Sequence, residues 1–373
     1  MNQRVIGPVN NTHTESLTTK TPTTMKQLMT FLTGATLVCA LNAEAAIWRV
    51  NNQGYSADFT DLQFAVSHPT VNNGDTIHVE PSGVSYGTIV CAKQLVLIGP
   101  GFKLGLPNGN PDLQANSEMA TVNRIQLDAG SEGTVIYGLR IDYANSSSEI
   151  NVNVSGIIIE GNFFDGTQVY FASNSILSVS NVLIHGNYFD GANAVVQYSN
   201  STVRSYNNIQ ITNNYFEDGG VDLDDGTTAM SNCTVAFNVF NSDGNNCNVI
   251  SADVRDNIFN DPTATITTTQ NNIHHNLAAG VATLPGGNDN VNGVLMSAIF
   301  VGAGSEDAMW TLQAGVDALY PASDATERGI FGGADPYVLS GIPPVPTIYH
   351  LLAPTNAQAG TPLQVEISTR SND

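Results

Sequence analysis

The residues best placed for chemistry are the carboxylates of Val221-Asp222-Leu223-Asp224-Asp225-Gly226. Alternation along a strand sends Val221 and Leu223 to one face and Asp222 and Asp224 to the other. Two carboxyls two residues apart on one strand face approach the short separation that retaining glycosidases use. With Asp225 or a turn carbonyl, the same pair is also an oxygen set for Ca2+. The plainer reading is a solvated acidic strand and turn. The histidines offer less. His274 and His275 are adjacent, so alternation sends them to opposite faces and away from a shared metal. No His/Cys spacing resembles a zinc site, no Ser-His-Asp arrangement is defensible, and there is no phosphate loop.

What must position these side chains is a repeat. Asn162, Asn187, Asn214, Asn238, Asn257 and Asn276 follow one another at spacings of 25, 27, 24, 19 and 19. Three residues before each stands a β-branched apolar residue: Ile159, Ile184, Ile211, Val235, Val254 and Ile273. Two residues after stand Phe164, Phe189, Phe216, Phe240 and Phe259, then Ala278. Units this short hold no strand–helix pair and show no 3.6-residue period. They fit short strands joined by bends, stacked as the coils of a parallel β-helix, with like residues in columns along the axis. The β-branched column suits a strand face, and the phenylalanines stack in offset or edge geometry. The asparagines are expected to take left-handed bends and to hydrogen-bond from coil to coil, a structural ladder in preference to a catalytic row.

Earlier coils keep the frame without the asparagine, with Ile136 under Ile159 and Ile141 under Phe164. Leu97-Ile98-Gly99-Pro100-Gly101-Phe102 is another coil, and Thr76-Ile77-His78-Val79 reads as the first, giving about nine. Residues 61–67 read as a short helix closing the N-terminal end. Residues 294–333 read as the last coil and a cap. Pro343, Pro344, Pro346 and Pro354 mark an extended tail, and 363–368 alternate like a final strand.

The repeat frame adds neighbours to the acidic segment. Tyr170 and Val195 are expected beside Asp222, and Ala172 and Gln197 beside Asp224. Tyr170, Gln197, Asp222 and Asp224 together make a candidate sugar-contact patch. The column three residues after each asparagine carries Asp165, Asp190 and Glu217. Either these acids splay into water or Ca2+ sits among them. His185 falls beside Glu160, read as an exposed ion pair worth little.

Composition limits the partners. The 373 residues carry 12 Lys+Arg against 33 Asp+Glu, net −21. Such a chain repels phosphate backbones, so nucleic acid is excluded, and cations or neutral glycans are the better match. Lys26, the apolar run 28–41 and Ala43-Glu44-Ala45 form a positive n-region, a short h-region and a small-residue cleavage site. The expected organisation is therefore a leader, 1–45, with a signal peptide at 25–45; a β-helix domain, 46–342; and a Pro-rich tail with a short strand, 343–373. The mature chain loses Arg4, Lys20, Lys26, Glu15 and Glu44, which leaves 9 basic against 31 acidic side chains. It has no transmembrane segment, and its place is extracellular, periplasmic or at the cell surface. Cys91, Cys233 and Cys247 remain. A Cys233–Cys247 bridge is open to them in an oxidising compartment, but buried free thiols fit a β stack better.

Several segments resemble the pectate-lyase-like right-handed parallel β-helix proteins. They are Asp61-Leu62-Gln63-Phe64-Ala65-Val66, Gly74-Asp75-Thr76-Ile77-His78-Val79, Tyr86-Gly87 and Ile98-Gly99-Pro100-Gly101-Phe102, then the repeated Ile-x-Gly-Asn-x-Phe units. Gly329-Ile330-Phe331-Gly332-Gly333 is similar to the closing segment of secreted bacterial members. The resemblance spans about residues 47–342 and implies the right-handed fold. That group includes polysaccharide lyases, glycoside hydrolases, epimerases and adhesin-like proteins, so fold does not fix activity. Its lyases use Arg or Lys beside carboxylate-bound Ca2+, whereas Arg124, Arg140, Arg204 and Arg255 lie in no recognisable basic–acidic cluster here. Gly-His-Gly and Arg-Ile-Lys segments are absent, and Asp261-Pro262 and Asp335-Pro336 lack the histidine of related epimerases. The expectation is an exported protein that binds polysaccharide or cell-surface glycan without a catalytic motif. The alternatives are a lyase or hydrolase using Asp222, Asp224 and Asp225, and a structural, adhesin-like stalk.

Overall fold

The computed structural model describes residues 45–372, apart from 106, 143–148, 172–177, 192–194, 198–204, 225–228, 355, 357–359 and 361, and without the side chains of Val196, Gln197 and Asn245. The leader and Asp225 therefore lie outside the described residues, as do Ala172 and Arg204.

The chain is all-β. Its strands make three parallel sheets, each ordered as the sequence is ordered. The first sheet runs from Ile47–Val50 to Asn272–His274, the second from Thr121–Val122 to Leu277–Ala278, and the third from Thr88–Cys91 to Thr265–Ile266. The chain visits them in turn: Ile158–Glu160, Phe163–Asp165 and Gln168–Phe171, then back to the first sheet at Ser178–His185. This arrangement is consistent with a parallel β-helix. The columns stand in the expected register. Ile136, Ile159, Ile184, Ile211, Val235, Val254 and Ile273 pair in succession, and Ile141 lies under Phe164. Ile47–Val50 pairs with Thr76–Val79, so the rung expected to be first is the second.

Five phenylalanines fill the interior beneath the second sheet. Their ring centroids are 4.4, 4.9, 4.8 and 5.0 Å apart, with interplanar angles of 17, 12, 7 and 6°. Of the two expected geometries the offset stack is found and the edge contact is not, with successive rings about one strand spacing apart.

The asparagine ladder forms from coil to coil, but the left-handed residue is the one before it. Gly161, Gly186, Asn213, Phe237, Asp256 and His275 carry φ between 55 and 61°. Each asparagine is fully buried and accepts, on its Oδ1, the backbone N–H of the asparagine below: Asn162 to Asn187, Asn187 to Asn214, Asn214 to Asn238, Asn238 to Asn257 and Asn257 to Asn276, all at 2.9 Å. Nδ2 donates to the carbonyls that the bend leaves unpaired, as Asn214 does to Ile184 and Thr212 at 2.9 Å. Asn290, 14 residues on, extends the ladder by one rung at 3.1 Å.

Leu62–Ser67 is the expected helix, capped by Asp61, whose side chain accepts from the Phe64 N–H at 2.6 Å. Residues 294–342 do not form another coil. They run back along the outside of the second sheet as a strap, with short helical turns at Met296–Ala298, Ala308–Trp310 and Val316–Leu319. Arg328 donates to the Asn276 carbonyl, Gly329 to Asp256, Asn213 to Ile330 and Gly332, and Phe102 to Ser340. The strap buries a second apolar column one residue after the asparagines: Phe163, Tyr188, Tyr215, Val239, Ile258 and Leu277. In the tail, Thr347–Leu352 pairs antiparallel with Glu366–Arg370, so the segment expected to be extended linker contains a strand. Cys91, Cys233 and Cys247 are buried and free.

Candidate functional site

Asp222 and Asp224 close a strand on the third sheet. Val221 and Leu223 are buried beneath them, and Asp222 is exposed, as alternation requires. Asn248 on the next rung holds the strand end. Its Nδ2 donates to Asp222 Oδ1 at 2.7 Å and to the Asp224 carbonyl at 2.8 Å. The neighbours differ from expectation by one residue. Tyr170 pairs with Val196, and Val196 with Asp222, so Val196 and not Val195 stands beside Asp222. Gln197 pairs with Phe171, in a core-facing register, and does not flank Asp224. The cause is the bend into the third sheet. From ladder asparagine to the first core residue it spans seven positions at Val169 and Val221, eight at Val195 and nine at Cys247 and Ile266. A frame counted from the asparagine slips there.

The outer column through Asp222 runs Gln126, Asn151, Tyr170, Val196, Asp222, Asn248. Five steps of about 4.8 Å make it roughly 24 Å long. Amides and carboxylates flank it. Gln126 and Asn153 donate to Asp128 at 2.7 and 2.9 Å, Gln168 donates to Glu149 at 3.3 Å, and Arg124 lies 3.8 Å from Glu149.

The acids expected to share Ca2+ each have their own donor. Asp165 takes Nε and Nη2 of Arg140 at 3.2 and 2.5 Å, and Arg140 also reaches Asp142 at 3.3 Å. Asp190 lies 3.6 Å from Lys103 Nζ, which also pairs with Glu306 and sits over the rings of Phe163 and Tyr188. Glu217 accepts from the Tyr215 hydroxyl and, at 3.2 Å, from Asn241 Nδ2. Arg255 contacts Asp253 and Asp256 at 3.0 and 2.7 Å. Arg124, Arg140 and Arg255 thus all stand beside carboxylates: Glu149 and Asp165 come from the next rung, which the linear sequence hid, whereas Asp142, Asp253 and Asp256 are near neighbours in the chain.

The histidines also depart from expectation. The left-handed backbone at His275 ends the alternation, and His274 Nδ1 comes 2.9 Å from His275 Nδ1. His274 Nε2 faces Asp253 at 3.0 Å, and His275 Nε2 faces Asp289 at 3.3 Å. His185 is not exposed. It is 5 % accessible, with Nδ1 2.9 Å from Thr212 Oγ1 and Nε2 3.6 Å from Asp335 of the strap. Burial pulls its pKa down and Asp335 pushes it back. Glu160, paired with His185 in register, has a pKa pushed up to about 7, by burial first and by Asp335 second. Among the described residues, Glu160, His185 and Asp335 are the one group of three His, Cys, Asp or Glu whose ligand atoms lie within 4.8 Å of one another. The sequence singled out Asp335 only as lacking a histidine neighbour; the histidine is 150 residues away in the chain.

A cavity of about 830 Å3 lies between the first rungs and the tail hairpin, lined by Arg49, His78, Glu80, Ile98, Ile348 and Leu351 among others. Burial lowers the His78 pKa. Among the described residues no helix is long and apolar enough to cross a membrane. No family model, no curated protein and no solved structure matches the chain.

Proposed function

We propose that this chain is an exported right-handed parallel β-helix of the pectate-lyase-like kind that binds an extended neutral glycan along the outer face of its third sheet. The observation that carries this reading is the column Gln126, Asn151, Tyr170, Val196, Asp222 and Asn248, in which Asn151 is itself buried. It sets amides, an aromatic ring and a carboxylate along one column of the sheet, with Val196 between the ring and the carboxylate. A sugar polymer needs hydroxyl-matching donors and acceptors and an apolar ring face for its own C–H surface. The net charge of −21 disfavours polyuronates, which would need a cation between the two anionic surfaces.

The test is titration of the purified protein with soluble neutral and uronate polysaccharides, with assay for new reducing or unsaturated ends. A neutral polymer is expected to bind without product. Tyr170→Ala and Asp222→Asn are each expected to weaken binding about 5–10-fold, the loss of one ring contact or one charge-assisted hydrogen bond. Product that disappears in Asp222→Asn/Asp224→Asn would establish the enzyme alternative. Binding unchanged in both single variants would remove this face as the site.

A further inference from the structure

The returning strap and the first sheet meet at a cluster that the glycan reading does not use. Glu160 and His185 sit on successive rungs in the outward column of the first sheet. Asp335 reaches them from the strap between Ile330 and Tyr337, whose backbone groups pair at 2.8 Å. Glu160 is half-buried, and among the described residues its carboxylate has neither a hydrogen-bond donor nor a Lys or Arg partner. Asp335 faces it, a second carboxylate, so the pair repels unless something positive lies between.

His185 is oriented for that task. With Nδ1 donating to Thr212 Oγ1 at 2.9 Å, Nε2 carries the ring's lone pair and points toward Asp335. Its 3.6 Å distance to Asp335 Oδ2 is too long for a good hydrogen bond. It is close to the separation of two donors on one tetrahedral ion, roughly 3.4 Å for bonds of about 2.0–2.1 Å. A metal-ligating histidine usually donates its other ring N–H to a neighbouring acceptor, and here the Thr212 hydroxyl stands in that position. A set of one nitrogen and two carboxylates suits zinc, or manganese less tightly, better than Ca2+ or Mg2+, which take all-oxygen shells.

We propose that Glu160, His185 and Asp335 bind one borderline divalent ion, best matched by Zn2+, which clamps the strap to the first sheet. The Asp335 side chain is 79 % exposed, so the fourth position opens to water.

The experiment uses the untagged protein, stripped with chelator and titrated with Zn2+ by calorimetry, with thermal melts in parallel. One equivalent is expected to bind with Kd below about 10 µM, and saturation is expected to raise Tm by several degrees. Mg2+ and Ca2+ at the same concentration should leave Tm unchanged. Asp335→Asn changes a surface side chain and should fold, and its zinc affinity should fall at least tenfold. Thr212→Val keeps the strand shape and should weaken zinc about tenfold by freeing the ring. No binding at about 100 µM Zn2+, or one equivalent bound equally by wild type and Asp335→Asn, would overturn the proposal. Loss of zinc binding in His274→Ala with wild-type affinity in Asp335→Asn would also overturn it, and would place the ion at the other histidine pair.

Discussion

Asn214 shows what a ladder residue does. Its Oδ1 accepts the Asn187 N–H, its own N–H is accepted by Asn238, and its Nδ2 donates to the Ile184 and Thr212 carbonyls, all in a fully buried bend. Asn214→Ala would strand a buried N–H and at least one buried carbonyl. A buried group left without its partner costs about 1–3 kcal/mol. The expected loss is therefore at least about 2 kcal/mol in urea unfolding, whereas Asn290→Ala, at the half-buried end of the ladder, should lose less than half of that. Equal losses would mean that the ladder has no cooperative interior. The ladder was legible because every bend that carries a ladder asparagine has the same two-residue length, so one count from the asparagine finds the same place in each of those coils. The candidate sugar contacts were legible only in part. Asp222 faces out beside Asn248 as strand alternation demands, but the variable bend into the third sheet moved Gln197 to a core register and put Val196 where Val195 was expected.

The strap is the element that repeat logic missed. It has no period, because it crosses rungs instead of adding one. Its signature lay in the repeat itself. Phe163, Tyr188, Tyr215, Val239, Ile258 and Leu277 occupy outward positions next to the inward phenylalanine column, and consecutive apolar residues in a short strand mean that both faces are covered. Trp310 anchors the cover, stacked on Tyr215 at 4.6 Å and edge-on to Phe300 at 5.2 Å. Gly341 lies so close to the first-to-second-sheet bend that a Cβ there would collide with the Gly161 carbonyl. Trp310→Ala should cost about 3–5 kcal/mol, and the strap should feel it first, since it is held by one apolar face while the rungs are paired on both sides. Limited proteolysis is expected to cut within 294–342 in that variant while the far-ultraviolet signal of the sheets persists. Simultaneous loss of both would show that strap and stack unfold as one unit.

On the scale of the molecule, the excess of 21 negative charges is laid on a scaffold that stacks like residues. Register sets Asp142, Asp165 and Asp190 on adjacent rungs, where like charges oppose one another at strand spacing. The column counted from the asparagines foretold the repulsion; the compensation came from partners far along the chain, Arg140 beneath Asp165 and Lys103 between Asp190 and Glu306. What is not compensated locally acts over the whole surface and is open to screening. Raising NaCl from about 10 mM to about 150 mM shortens the Debye length from about 30 Å to about 8 Å. Tm should rise across that range, because self-repulsion weakens more in the folded chain than in the expanded one. CaCl2 at matched ionic strength separates the two origins of the effect. Since Asp165, Asp190 and Glu217 each have a protein donor, calcium should add nothing beyond screening. A further rise at millimolar Ca2+ that is lost in Asp190→Asn would mean that the ion displaces Lys103 and bridges the column.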